Sequence, residues 1–209
     1  MQTQQIRRMI REAVAIEKDN GILTNALQVF AMSRGIQPSS EQLENTRKFI
    51  EEYVEHAPAL LDAIDSAARQ AGIIDQVKSI LEAAEGYFFA PVDIIPDHLG
   101  LVGLMDDAYL IHCLIQALSN SYRDRSGNTL LQLDMTQANQ FIRSLIGEPQ
   151  ASMLDAGVAN VLNAPAIQQS LQSLLSSDSG FNMADTDPMW GNASMDEIVT
   201  ARLGAMGVV

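Results

Sequence analysis

The sequence predicts an all-α fold, a single multi-helix domain of about eight helices around a central hydrophobic helical hairpin. Three observations predict it. Apolar residues recur at intervals of three and four along almost the whole chain, which is the repeat of one helix face. No convincing stretch alternates apolar and polar residues with the period of two that a half-buried strand shows. Glycine, proline and small polar residues interrupt the apolar runs where helices would start and stop.

The elements follow in chain order. Ile6, Met9, Ile10, Ala13 and Val14 share one face of a first helix, and Asn20-Gly21 can stop it. Leu23, Ala26, Leu27, Phe30 and Ala31 form a second stripe, ended by Arg34-Gly35. Ser39 with Gln42 three residues on reads as a capping box. The helix it opens turns Leu43, Ile50, Tyr53 and Val54 inward, with His56 in its last turn. Pro58 is read as the start of a separate helix over 59–71, because proline suits a first turn and Gly72 lies just past the end. Helix resumes from Ile73 to Ala90 with Ile74, Val77, Leu81 and Ala84 inward, until Pro91 interrupts it. Met105 to Tyr122 is the most apolar helix, followed by a polar turn over 123–128. Three weaker helices are expected at 137–146, 151–162 and 165–176, separated by Gly147, Pro149 and Asn163.

The composition then changes. Residues 1–176 form the helical domain, with the hairpin at 81–122, and 177–194 read as a linker rich in small and acidic residues. A second capping box, Ser194 to Glu197, opens a C-terminal amphipathic helix over 195–209. Its stripe of Met195, Ile198, Val199, Leu203 and Met206 is a candidate partner-binding face.

The chain has 209 residues, 26 acidic and 13 basic, for a formal charge of −13, and one cysteine. Its length suffices for a sizeable core. A single cysteine excludes an internal disulfide framework and fits a reducing compartment. The acidic balance argues against binding a phosphate backbone, which needs a basic surface to displace counterions. Between Phe49 and Tyr122 twelve acidic residues face two basic ones, Arg69 and Lys78, so the middle helices carry most of the charge. Capture of a basic protein partner, or head-to-tail self-association as a homo-oligomer, would use this asymmetry. No signal-peptide pattern opens the sequence. The best apolar run, Ala108 to Tyr122, falls short of the roughly 20 residues that span a bilayer. Cytoplasmic localisation is the expectation.

Residues 87–112 stand out. Pro91, Pro96, Gly100 and Gly103 punctuate an apolar stretch that contains Asp93, Asp97, Asp106 and Asp107. Apolar neighbours tend to bury, and buried carboxylates must be hydrogen-bonded, paired or metal-bound. The segment resembles the YkvA-like family, bacterial domains of unknown function, over about residues 81–118. The matching pattern is Pro91, Asp93, Pro96, Asp97, Gly103, Asp106 and Asp107. The resemblance implies a helical hairpin with a structured connection and no established activity, and some relatives look membrane-associated.

Two readings of the carboxylates compete. In the first they cap helices: Asp93 and Asp97 at short turns, Asp106 and Asp107 in the first turn of the long helix, where the dipole favours negative charge. In the second, Asp93, Asp97, Asp106 and Asp107 converge with His98 or His112 on a divalent cation, magnesium, manganese or calcium. Adjacent Asp106 and Asp107 point about 100° apart on a helix, which weighs against one shared ion. Cys113 beside His112 makes no local dyad, because neighbours on a helix do not face each other. No catalytic residue and no cofactor is assigned. The expected function is a non-enzymatic helical interaction protein, an adaptor or inhibitor of a protein partner. The alternatives are a metal-dependent hydrolase using the four aspartates and a peripheral membrane protein.

Overall fold

A computed structural model describes residues 2–89, 94–127 and 134–176, with Asp97 by its backbone alone. The described residues form eight α-helices and no strand. In order they are α1 (Thr3–Asn20), α2 (Ile22–Ser33), α3 (Ser40–Gln70), α4 (Ile74–Tyr87), α5 (Leu101–Ser126), α6 (Thr136–Ile146), α7 (Gln150–Leu162) and α8 (Pro165–Ser176). A single 3-10 turn, Asp97–Leu99, precedes α5.

Helix α1 buries Ile6, Ile10, Ala13 and Glu17 along one stripe and stops at Gly21 in the left-handed conformation, whose N–H returns to the Glu17 carbonyl. The same glycine opens α2. The free N–H groups of α2 are met from the helix before it: the Glu17 carboxylate accepts from the Leu23 N–H at 2.6 Å, the Thr24 N–H at 3.0 Å and the Thr24 hydroxyl at 2.8 Å. Glu17 is 3% exposed, so a buried carboxylate is satisfied by donors that also need a partner. Helix α2 buries Leu23, Leu27 and Ala31, while Ala26 of the expected stripe is exposed.

The capping box of α3 is as the sequence predicts, with the Gln42 N–H on Ser39 Oγ at 3.2 Å and the Ser39 N–H on Gln42 Oε1 at 2.8 Å. Its far end is not. Helix α3 runs unbroken for 31 residues with Pro58 inside it. The proline denies the Val54 carbonyl its helical donor. His56, Ala57, Pro58, Leu60 and Leu61 are all buried there, so packing on nearly every side holds the helix through the break. His56 consequently lies in mid-helix, not in a last turn.

Helix α5 begins four residues earlier and ends four later than its apolar run suggests, taking in the expected polar turn and closing on left-handed Gly127. Every residue from Gly103 to His112 is buried. A helix apolar on all sides belongs inside, and α5 packs against α3, α7, α4, α6, α1 and α8. It is long and apolar enough to cross a membrane by length and composition, and most of that stretch is buried within the fold. Helix α4 stops at Tyr87, short of Ala90, and its Ser79 hydroxyl meets that of Ser170 on α8 at 2.6 Å. Helices α6 to α8 stand where the sequence places them, to within a residue. The linker and the stripe of Met195, Ile198, Val199, Leu203 and Met206 lie outside the described residues.

Because the Glu17 carboxylate caps α2 from a buried position, Glu17→Ala is expected to lower stability by about 2 kcal/mol in urea unfolding. Glu17→Gln, which keeps one accepting oxygen, should lose less. Equal midpoints for Glu17→Ala and the parent chain would disprove the cap.

Candidate functional site

The connection between α4 and α5 is held at three described points. Its 3-10 turn closes with the Leu99 N–H on the Pro96 carbonyl at 3.0 Å. Gly100 then takes φ 68° and ψ −130°, a region that side chains avoid. It also lies hard against α1: a Cβ there would meet the Ala13 carbonyl oxygen and the Ile16 Cγ2 at 3.3 Å. Only glycine meets both conditions. The third point is Asp106, whose Oδ2 accepts from the Ile95 N–H at 3.1 Å across eleven residues of chain.

This corrects the placement of the carboxylates. With α5 starting at Leu101, Asp106 and Asp107 stand in its second turn, beyond the reach of terminal N–H groups, and are 2% and 5% exposed. Asp106 caps no turn of its own helix. It reaches back to the backbone that leads into the helix and fixes the bend. Asp93 and the side chain of Asp97 lie outside the described residues, so the four-carboxylate cluster is not assembled or dispersed here. Among the described residues no three His, Cys, Asp or Glu side chains gather closely enough to hold an ion. His98, on the 3-10 turn, is exposed, whereas His112 lies deep in the core, so these two alternative nitrogen ligands occupy different environments.

His112 has a partner that local reading misses. Its Nε2 sits 3.1 Å from Nδ1 of His56 on α3, and the two rings stack with centroids 5.1 Å apart and 29° between planes. The Tyr53 and His112 rings meet edge to face with centroids 4.3 Å apart. The Tyr53 hydroxyl in turn donates to Asn139 Oδ1 on α6 at 2.7 Å. The histidines are 3% and 1% exposed. Burial brings the His56 imidazole down to about 4, and burial with the nearby His56 holds His112 well below the ordinary histidine range. Both are therefore neutral at pH 7, with one proton in the shared N···N contact. No local spacing could have paired residues 56 apart. The one available hint was that each histidine sits on an apolar helical stripe.

Cys113 faces elsewhere. Burial pushes its thiol up to about 12, which leaves it a packing residue at neutral pH rather than a nucleophile. Beside it the Tyr109 hydroxyl donates to Asp155 Oδ1 at 2.6 Å, and Arg143 Nε reaches the other oxygen of Asp155 at 2.9 Å. That network joins α5, α6 and α7. The chemistry on view is thus fixation of a helical hairpin and a neutral imidazole pair.

Gly100→Ala is expected to cost about 1–3 kcal/mol from the positive φ alone, with the contact to α1 adding to it. Gly86→Ala, in α4 with open space around its Cα, should be neutral or stabilising by up to about 1 kcal/mol. Thermal melts of both variants check this, and an unchanged midpoint for Gly100→Ala would refute the close approach.

No curated protein and no solved structure matches the chain. Residues 77–113 match the model of a family described as a protein of unknown function (DUF1232), which bears out the resemblance over a short segment running from α4 through the connection to Cys113 of α5.

Proposed function

We propose that the protein is a non-enzymatic helical interaction protein that engages a basic protein partner, as an adaptor or inhibitor, through the outward carboxylates of α3. The observation that supports this is the crowding of Glu51, Glu52 and Glu55 on one side of that helix. The Glu55 carboxyl is held above the usual carboxylate range, by partial desolvation first and then by Glu51 and Glu52. Like charges held this close are relieved by an incoming lysine or arginine, which gives a cationic partner a local gain in addition to long-range steering. Arg47 meets Glu51 at 2.6 Å at one end of the row, and Arg7 of α1 meets Asp62 at 2.8 Å further along, so the helix already shows how such pairs form.

The test begins with cross-linking in the cell of origin and identification of the captured protein. Titration of the purified partner should then show affinity that falls steeply with salt. The triple variant E51Q/E52Q/E55Q should bind at least tenfold more weakly while unfolding no earlier than the parent. A partner that binds the triple variant as tightly as the parent would sink the reading. If binding is instead lost on removing residues 177–209, the stripe around Ile198 and Leu203 is the docking element and α3 is not.

A further inference from the structure

The imidazole pair has no part in the carboxylate surface, and it sits where α3 and α5, the two longest helices, cross. We propose that His56, His112 and Pro58 together form an acid-sensitive joint between α3 and α5, closed at neutral pH and opened by proton uptake.

The geometry supplies both parts of the joint. At 3.1 Å the contact between His56 Nδ1 and His112 Nε2 needs one donor and one acceptor. Protonating both rings puts N–H against N–H and breaks it. Protonating one leaves a cation in a core from which water is excluded. Nδ1 of His112 is buried and without a hydrogen-bond partner, so a proton placed there would have no acceptor. The mechanical part is Pro58, half a turn from His56. Its missing N–H takes one bond out of the α3 ladder, and the helix can separate there at lower cost than elsewhere.

The titratable groups on the elements packed around the pair include several that are raised or already engaged. On α3 there are Tyr53, whose hydroxyl burial holds far up, Glu52, one turn before His56, and Glu55, whose carboxyl is itself raised by partial burial, and on α4 there is Tyr87, pushed up to about 12 by burial. On α5 Tyr109 and Cys113 are likewise raised, Asp106 is engaged with the Ile95 N–H, and Asp107 is buried one turn and a half before His112. On α7 Asp155 is held by Tyr109 and Arg143 of α6, and on α1 Arg7 is held by Asp62. Helices α2 and α8 carry no charged residue. Between the ordinary histidine value of about 6.5 and about 4, the open state binds more protons than the closed one, so falling pH favours opening.

Hydrogen exchange of the full chain, corrected for intrinsic rates, reads this directly. From pH 6.5 to 5.5 the opening equilibrium of residues 50–58 and 108–116 should rise together, by roughly fivefold for one proton taken up and up to about thirtyfold for two. Amides of α7 should change less than threefold. A change below threefold in the first two segments would overturn the joint. The variant H56N/H112Q, which keeps a non-titrating hydrogen bond between the same helices, should lose the pH dependence, and its persistence would also overturn it. Should that variant fail to fold, imidazole NMR of the parent chain decides. Protonation of His56 and His112 must coincide with loss of amide protection, and protonation inside a fully protected fold would count against the joint.

Discussion

A helix buried on all sides leaves its polar side chains no water to bond with, and α5 carries several. The way these are satisfied sets the arrangement around it. Asp106 takes the Ile95 N–H of the incoming connection, Tyr109 holds Asp155 on α7, His112 meets His56 on α3, and Gln116 accepts the Met135 N–H at the start of α6 at 2.9 Å. Each of these four side chains thus selects one neighbour. Apolar burial makes the helices collapse, but it is nearly indifferent to which faces meet, and a missed hydrogen bond in the core costs on the order of 1–3 kcal/mol. The polar contacts of α5 therefore specify which packing is adopted.

That division explains what could be read in advance. Helix positions were legible because they depend on signals a few residues apart: the Ser39 and Gln42 box, the Gly21 stop, and the apolar stripes of α4 and α6 to α8. Pro58 misled because its local preference is for a first turn, and only the buried surroundings of α3 override it. The Glu17 cap was missed because the donors belong to the next helix. The site was less legible than the fold. Asp106 was marked as a buried carboxylate with work to do, but its partner lies eleven residues back, and the partner of His112 lies 56 residues back on another helix. Sequence spacing does not encode such distances.

The family match covers His112 but not His56, Tyr53 or Asn139. The segment of known resemblance thus contributes one side of the imidazole contact, and the surrounding helices of this chain contribute the other. Whatever the hairpin does in its relatives, here its central helix is bound into a wider polar framework. The outward carboxylates of α3 sit on the same helix as His56, which puts the charged surface and one member of the buried pair on a single element.

Gly100 carries a separate lesson about where an autonomous unit ends. Its backbone lies against the carbonyl of Ala13 and the side chain of Ile16, so the bend of the hairpin is moulded on the N-terminal helix. A fragment cut to the hairpin alone would leave that concave backbone facing solvent and the inward stripe of α1 without its seat. The hairpin is therefore not a portable cassette in this protein, and its smallest transplantable form must reach back to include α1.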